Sequence, residues 1–306
     1  MNRILVIRGG AIGDFILTLP AIRLLREAFP SAHLEILGYK HIVALAEMSG
    51  YADATRSIEY GPLASFFSRD ATLAPELVEY FASFEQVVSY LFDPDQIFAA
   101  NLKRAGVGNF LAGPGKITGQ EHAAWQLARP LERLALYLQD PAARIVPNEM
   151  REVDPGLLAI HPGSGSEAKN WPLERFVSLA RSFLREGKER KLLLIGGEAD
   201  EARLTELEKS LPNERVRMAR DLSLPALANR LQNCGRFIGH DSGISHLAAA
   251  VGTRSLLLFG PTDPAIWAPQ NPQVRILRSA DLTMKGIELG NVVAAWEKLP
   301  CAPMCG

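Results

Sequence analysis

The feature that most constrains this chain is an alternation of short apolar runs with helical stretches, which fills the first half and begins again near residue 157. Arg3 to Arg8 reads RILVIR and ends in Gly9-Gly10, and an apolar-periodic stretch from Ile16 to Phe29 follows. That order predicts a strand, a loop and a helix. His33 to Leu37 and Phe84 to Leu91 predict further strands, with helices near His41 to Met48 and Pro75 to Ala82. The restart gives LLAIH, a helix from Leu173 to Glu186, KLLLIG, and a helix from Glu201 to Lys209. Arg236 to Gly239, Gly243 to Val251 and Ser255 to Phe259 continue it. Such alternation implies parallel sheets covered by helices, and the restart after RIVPNEMREVDPG implies two Rossmann-like units.

The expected division is residues 1–152, residues 153–285, and a final helix and tail, residues 286–306, able to pack back on the first domain. Open parallel sheets bind ligands beyond the carboxyl ends of their strands, so two such sheets facing an interdomain cleft would bring two substrates together. The length of 306 residues suits two domains, and 47% hydrophobic with 22% charged residues is an ordinary globular composition. A net charge of −1 argues against nucleic acid as a partner. No apolar run is long enough to span a membrane, and Cys234, Cys301 and Cys305 fit a reducing cytoplasm better than a disulfide scaffold. Cys301 and Cys305 alone make a poor metal clip.

The turns after the predicted strands carry the chemistry. Gly9-Gly10-Ala11-Ile12-Gly13-Asp14 fails as a dinucleotide fingerprint, because Arg8 stands where glycine is needed and the second strand ends LEILGYK, without an acid for the ribose. What remains is a loop through Gly10 and Gly13 that presents Asp14 at a helix start, either as a cap or as a base. His161-Pro162-Gly163-Ser164-Gly165-Ser166 leads through Lys169 to Pro172, a natural helix start. Its amides, with Ser164, Ser166 and Lys169, suit a phosphate, though an ordinary turn with a solvated lysine fits equally. Gly239-His240-Asp241-Ser242-Gly243-Ile244-Ser245-His246 passes from strand directly into helix. Ser242 and the amides of Gly243 and Ile244 there favour a diphosphate, Asp241 is placed to cap or to meet a ligand hydroxyl, and His246 lies one turn on. Asp241, Ser242 and His246 are too crowded for a hydrolytic relay.

Two further turns, Gly260-Pro261-Thr262-Asp263 and Gly196-Gly197-Glu198-Ala199-Asp200-Glu201, would close the site. Asp200 and Glu201 are ribose candidates, with helix capping an equal competitor. Asp93-Pro94-Asp95 matches a metal-binding DxD in letters only, and Asp93 reads better as a cleft or turn residue.

Together the blocks RILVIRGGAIGDFILTLPAIRLLREAFP, HPGSGSEAKNWPLERF, FIGHDSGISHLAAAVGT and LLLFGPTDPAIWAP resemble, in that order, the ADP-heptose:lipopolysaccharide heptosyltransferases, glycosyltransferase family 9, with weaker support from Gly119 to His122. The resemblance implies the α/β GT-B fold and an inverting transfer of heptose from an ADP-heptose donor to a lipopolysaccharide-core or related glycan acceptor, with no metal and no other cofactor. It implies the acceptor in the first domain and ADP mostly in the second. Asp14 matches the family's catalytic carboxylate. Ser164, Ser166 and Lys169 fall in its phosphate-contacting block, and Asp241, Ser242, Gly243, Ile244 and His246 in its diphosphate and sugar block. Asp200 or Glu201 falls near its ribose acid. Lys40, Arg69, Lys103, Arg104, Lys116 and Arg129 are first-half cations available to acidic sugars. A cytoplasmic enzyme is expected, in peripheral contact with the inner membrane if its acceptor is lipid-linked. A transferase of another nucleotide sugar and a non-catalytic relative remain open.

Overall fold

Near-continuous apolar runs form strands buried on both faces, as a parallel sheet covered by helices requires. In a computed structural model that describes residues 1–119, 121–147 and 152–299, the first run is β1 (Arg3–Arg8), with Ile4, Leu5, Val6 and Ile7 wholly buried. Around it lie β2 (His33–Gly38), β3 (Ala54–Ser57), β4 (Gln86–Ser89) and β5 (Phe110–Ala112), in the order β3-β2-β1-β4-β5. Every pairing is parallel, with Arg8 beside Gly38 and Ile7 beside Ser89.

The second sheet is built from β6 (Asp154–Ile160), β7 (Lys191–Gly196), β8 (Val216–Arg220), β9 (Cys234–His240), β10 (Ser255–Phe259) and β11 (Val274–Arg278). Its order is β11-β10-β9-β6-β7-β8, again all parallel. Successive strands run outward from β6 to β8, then from β9 to β11 on the other side. The strand order therefore reverses between β6 and β9, and in the first sheet between β1 and β4. At such a reversal two loops diverge and leave a crevice beyond the carboxyl ends.

Two compact units result, Met1–Pro141 and Ala142–Gly306. The division falls earlier than the expected 152/153 boundary. The chain just after Pro141 already bonds to the second sheet's surroundings, Ile145 N donating to Ala250 O at 2.9 Å and Asn271 Nδ2 to Ala143 O at 2.8 Å. The linker expected near residue 150 lies partly outside the described residues, as do Gln120 of the Gly119–His122 block, Cys301 and Cys305.

The final helix, Leu289–Glu297, is part of the second unit. Val292, Ala295 and Trp296 join the second unit's own core, with Leu158, Phe176 and Leu258. Its approach is pinned there, because the buried Trp171 donates Nε1–H to Ile287 O at 2.8 Å and Arg175 donates to Lys285 O and Ile287 O. Arg175 belongs to helix Leu173–Arg185, whose Phe176, Leu179, Ala180 and Phe183 fall on one helical face and pack inward.

Candidate active site

The carboxyl ends of β6 and β9, on either side of the second sheet's reversal, are joined by histidines. His240 ends β9 and is wholly buried. Its Nε2 accepts from Trp171 N at 2.9 Å, so the ring proton stands on Nδ1, which donates to Gly163 O at 3.2 Å. Burial drives its pKa down to about 3. This neutral ring staples both ends of the His161–Trp171 loop to β9. Arg203 reinforces it, donating to Pro162 O at 2.9 Å and Trp171 O at 2.6 Å.

The staple sets the position of Lys169, whose Nζ lies 2.7 Å from Asp241 Oδ2. Beside them starts helix Gly243–Ala250, with Ser242 as its N-cap accepting from Ser245 N at 3.3 Å. The first amides of a helix have no partner within it, so those of Gly243 and Ile244 combine with the helix dipole into an anion-attracting surface. Lys169, Asp241, Ser242, Gly243 and Ile244 are thus one cluster. His246 is buried within the same helix.

Ser164 and Ser166 border this cluster in a different way. The Ser164 hydroxyl faces Asn170 Oδ1 at 2.7 Å and Ser166 O at 2.9 Å, which shapes the loop, while Ser166 is exposed. Asp200 and Glu201 separate clearly. Asp200 Oδ2 takes a hydrogen bond from His161 Nε2 at 3.1 Å, which holds its carboxyl below the usual range. Glu201 points away, pairs with Arg220 and accepts from Thr205 at 2.9 Å.

In the first unit, Gly10 adopts a φ of 95°, and a β-carbon on it would meet Asp14 Oδ2 at 2.9 Å. This glycine lets the chain turn tightly enough to seat the carboxylate. Gly13 lies in the first turn of helix Ile12–Ala28. Asp14 Oδ2 accepts from Ala11 N at 3.1 Å, while Oδ1 stands 3.7 Å from Arg8. Asp14 therefore caps its helix and still presents a half-exposed carboxylate. Burial lowers the pKa of Arg8, which also bonds Asp14 O at 3.2 Å and Tyr90 O at 3.3 Å. Asp93, expected as a cleft or turn residue, closes a turn, its carbonyl accepting from Gln96 N at 3.1 Å, and its carboxylate caps helix Ile97–Arg104, accepting from Phe98 N at 3.2 Å and Ala99 N at 2.9 Å. Asp95 is exposed and pairs with Arg69. Beyond β5 a cavity of about 820 Å³ is lined by Lys116, Thr118, Gln126, Arg129, Arg133 and Tyr137.

Residues 118–294, more than half of the chain, match the family model described as glycosyltransferase family 9 (heptosyltransferase). The chain belongs to glycosyltransferase family 9. Among curated relatives, lipooligosaccharide heptosyltransferase 2 of Haemophilus influenzae is 31% identical over 115 residues, 36% of this chain and 33% of that one. The match thus spans about a third of that relative's length. Among solved structures, a family 9 glycosyl transferase from Veillonella parvula superposes with a TM-score of 0.78 at 20% identity, covering 97% of this chain and 96% of that one. The Escherichia coli heptosyltransferase WaaC with ADP gives 0.75 at 17%, covering 97% and 99%. The two parallel sheets and these superpositions give this family 9 chain the expected GT-B fold.

Sequence reasoning named most of the cluster but missed the groups that hold it. His161, His240 and Arg8 had one available signal: a polar residue closing or following an apolar strand, where it must be partnered if buried; Arg203, inside helix Glu201–Lys209, had none. Among the described residues no group of three or more His, Cys, Asp or Glu side chains is disposed to hold a metal, and no helix is long and apolar enough to cross a membrane. Cys234 is buried, its thiol pushed up to about 12.

Proposed function

We propose that this family 9 chain is an inverting glycosyltransferase that moves heptose from ADP-heptose to a glycan acceptor of the lipopolysaccharide core, with Asp14 as general base. The observation that carries the reading is the Lys169–Asp241 pair standing at the N-terminus of helix Gly243–Ala250, at the reversal point of the second sheet. A diphosphate suits that place. An ammonium has three donors, so Lys169 retains Asp241 and meets a phosphate oxygen as well. As the bond from anomeric carbon to phosphate oxygen breaks, Lys169 and the amides of Gly243 and Ile244 stabilise the charge on departing ADP. Asp14 takes the proton from the acceptor hydroxyl as that oxygen attacks from the opposite face. The ADP in the WaaC structure supports the nucleotide, and the names of the curated relatives support heptose and the acceptor class. Around the first unit's cavity Lys116 and Arg133, with Arg129 paired to Glu121 at 2.6 Å, outnumber the lining Glu132 and supply positive charge for an acidic sugar.

Asp14→Asn keeps an oxygen for the Ala11 amide but cannot take a proton. It should reduce transfer at least ~100-fold with ADP affinity unchanged in calorimetry; undiminished turnover would remove Asp14 from the mechanism. ADP should raise the melting temperature where UDP and GDP do not, and stabilisation by UDP alone would defeat the ADP assignment. Transfer is read by the mass of the glycosylated acceptor, and ADP binding without transfer to any core acceptor would point to a non-catalytic relative.

A further inference from the structure

One chain of hydrogen bonds links three turns of the second unit and has no part in the chemistry derived above. His161, 3% exposed, follows β6. Its Nε2 lies 3.1 Å from Asp200 Oδ2 and its Nδ1 3.3 Å from Ser242 Oγ. A carboxylate only accepts, so Nε2 carries the proton, and in the neutral ring Nδ1 is then an acceptor. The Ser242 hydroxyl is therefore the donor on its side. Ser245 Oγ, 3.2 Å away, is a second inward acceptor for the same proton, and Ser245 N donates to Ser242 Oγ from below. The Ser242 side chain is thus turned into the protein and engaged by protein groups. What it leaves facing outward at the helix start are the backbone amides.

The Asp200 carboxylate is committed in the same direction. It packs so closely over Gly163 that a β-carbon there would lie 1.7 Å from Asp200 Oδ1. A carboxylate placed to serve only ribose hydroxyls would not need a buried imidazole as partner. Here it sets the imidazole's tautomer, and the tautomer sets the direction of the Ser242 proton.

We propose that His161 is a positioning residue of the diphosphate subsite, through which Asp200 holds Ser242 and the first turn of helix Gly243–Ala250 in place. The proposal rests on the donor-binding reading and deepens it: Asp200 acts on the phosphates at one remove, through the ring. The same three residue types make up a hydrolytic relay, but the Ser242 oxygen is engaged by Ser245 N–H as a helix cap as well as by His161. That arrangement favours holding over attack.

The test uses the full chain with two probes, ADP and inorganic pyrophosphate, by calorimetry. Pyrophosphate has no ribose, so an Asp200 that served ribose alone would leave its binding unchanged on substitution. Asp200→Asn, nearly isosteric, should instead weaken pyrophosphate and ADP about tenfold, the range expected when a hydrogen bond to a charged group is lost. In a His161→Ala background the same substitution should have no further effect, because the coupling passes through the ring. Should His161→Ala fail to fold, His161→Leu, which neither donates nor accepts, replaces it, and the ring ¹⁵N spectrum of Asp200→Asn, in which the Nε2–H signal should move on loss of its charged acceptor, reads the same link. A wild type that binds pyrophosphate as well as Asp200→Asn does would overturn the proposal while leaving the donor site standing. Wild-type protein that binds neither probe would overturn the donor reading and the proposal with it. Covalent labelling of Ser242 by a fluorophosphonate would overturn it in favour of a nucleophilic relay.

Discussion

His240 is closed on both nitrogens and wholly buried, so folding leaves no room for a second proton. Its folded pKa of about 3 lies below the unfolded value of about 6.5. The stabilisation from keeping it neutral is complete above about pH 6.5 and is lost as pH falls from there toward about 3. Between pH 7 and pH 5 the chain should lose about 2 kcal/mol through this group, read by urea unfolding. Asp53, Asp200 and Asp281, whose carboxyls are held low by hydrogen bonds and, for Asp53, the Arg26 charge, contribute only in more acidic solution. His240→Gln should lower stability at pH 7 but shrink the difference between pH 7 and pH 5, and an unchanged difference would assign the acid sensitivity elsewhere. Gly163 is a second single-residue test. Gly163→Ala drives a methyl into Asp200, so it should both lower the melting temperature by several degrees and weaken ADP. Neither constraint could be read from sequence. HPGSGS shows a turn of small residues, but that its first glycine is needed for a carboxylate contributed from residue 200 is a fact of three dimensions.

Strand, turn and helix are the units in which this site is assembled, and their legibility follows burial. RILVIR and KLLLIG form the strands expected of them, residue for residue, and SLLLF does the same at Ser255–Phe259, because interior strands carry unbroken apolar runs. The strands Ala54–Ser57, Phe110–Ala112, Val216–Arg220 and Val274–Arg278 stand at sheet edges, with short or polar sequences such as ATRS and VRMAR, and gave no comparable signal. Helix Ile12–Ala28 begins four residues before its apolar period suggests, since Gly13 and Asp14 occupy its first turn. The final helix was visible as a period, but its docking partner was not, because the hydrogen bonds that fix it arise over a hundred residues away. Arg175 donates to Lys285 O at 2.7 Å, to Ile287 O at 2.6 Å and to Glu288 Oε1 at 3.0 Å. Arg175→Ala should therefore cost about 1–3 kcal/mol and raise hydrogen exchange selectively across Leu289–Glu297. Uniform exchange throughout the second unit would mean that the helix is held by its apolar face alone.

At the scale of the whole molecule, each unit is furnished with what folding requires. The first has a five-stranded sheet and a core that includes Leu5, Phe66, Phe81, Phe84 and Phe98; the second has a six-stranded sheet and a core running from Leu158 through Trp171 and Phe176 to Trp296. Among the described residues of these two clusters, those of the first all fall within Met1–Pro141 and those of the second within Ala142–Gly306. The groups assigned to the nucleotide, Lys169, Asp241 and the helix starting at Gly243, all lie in the second unit, and so do the His161 and His240 bonds that position them. The carboxylate assigned as base lies in the first. Residues 142–306 expressed alone should therefore unfold in one cooperative transition and bind ADP within about threefold of the full chain, a free-energy change under ~1 kcal/mol, while transferring nothing. Calorimetry with ADP, beside a mass-based transfer assay, reads both halves of that statement. Loss of ADP binding in a segment that still melts cooperatively would mean that the first unit supplies contacts to the nucleotide, and the assignment of the donor to second-unit residues alone would fall.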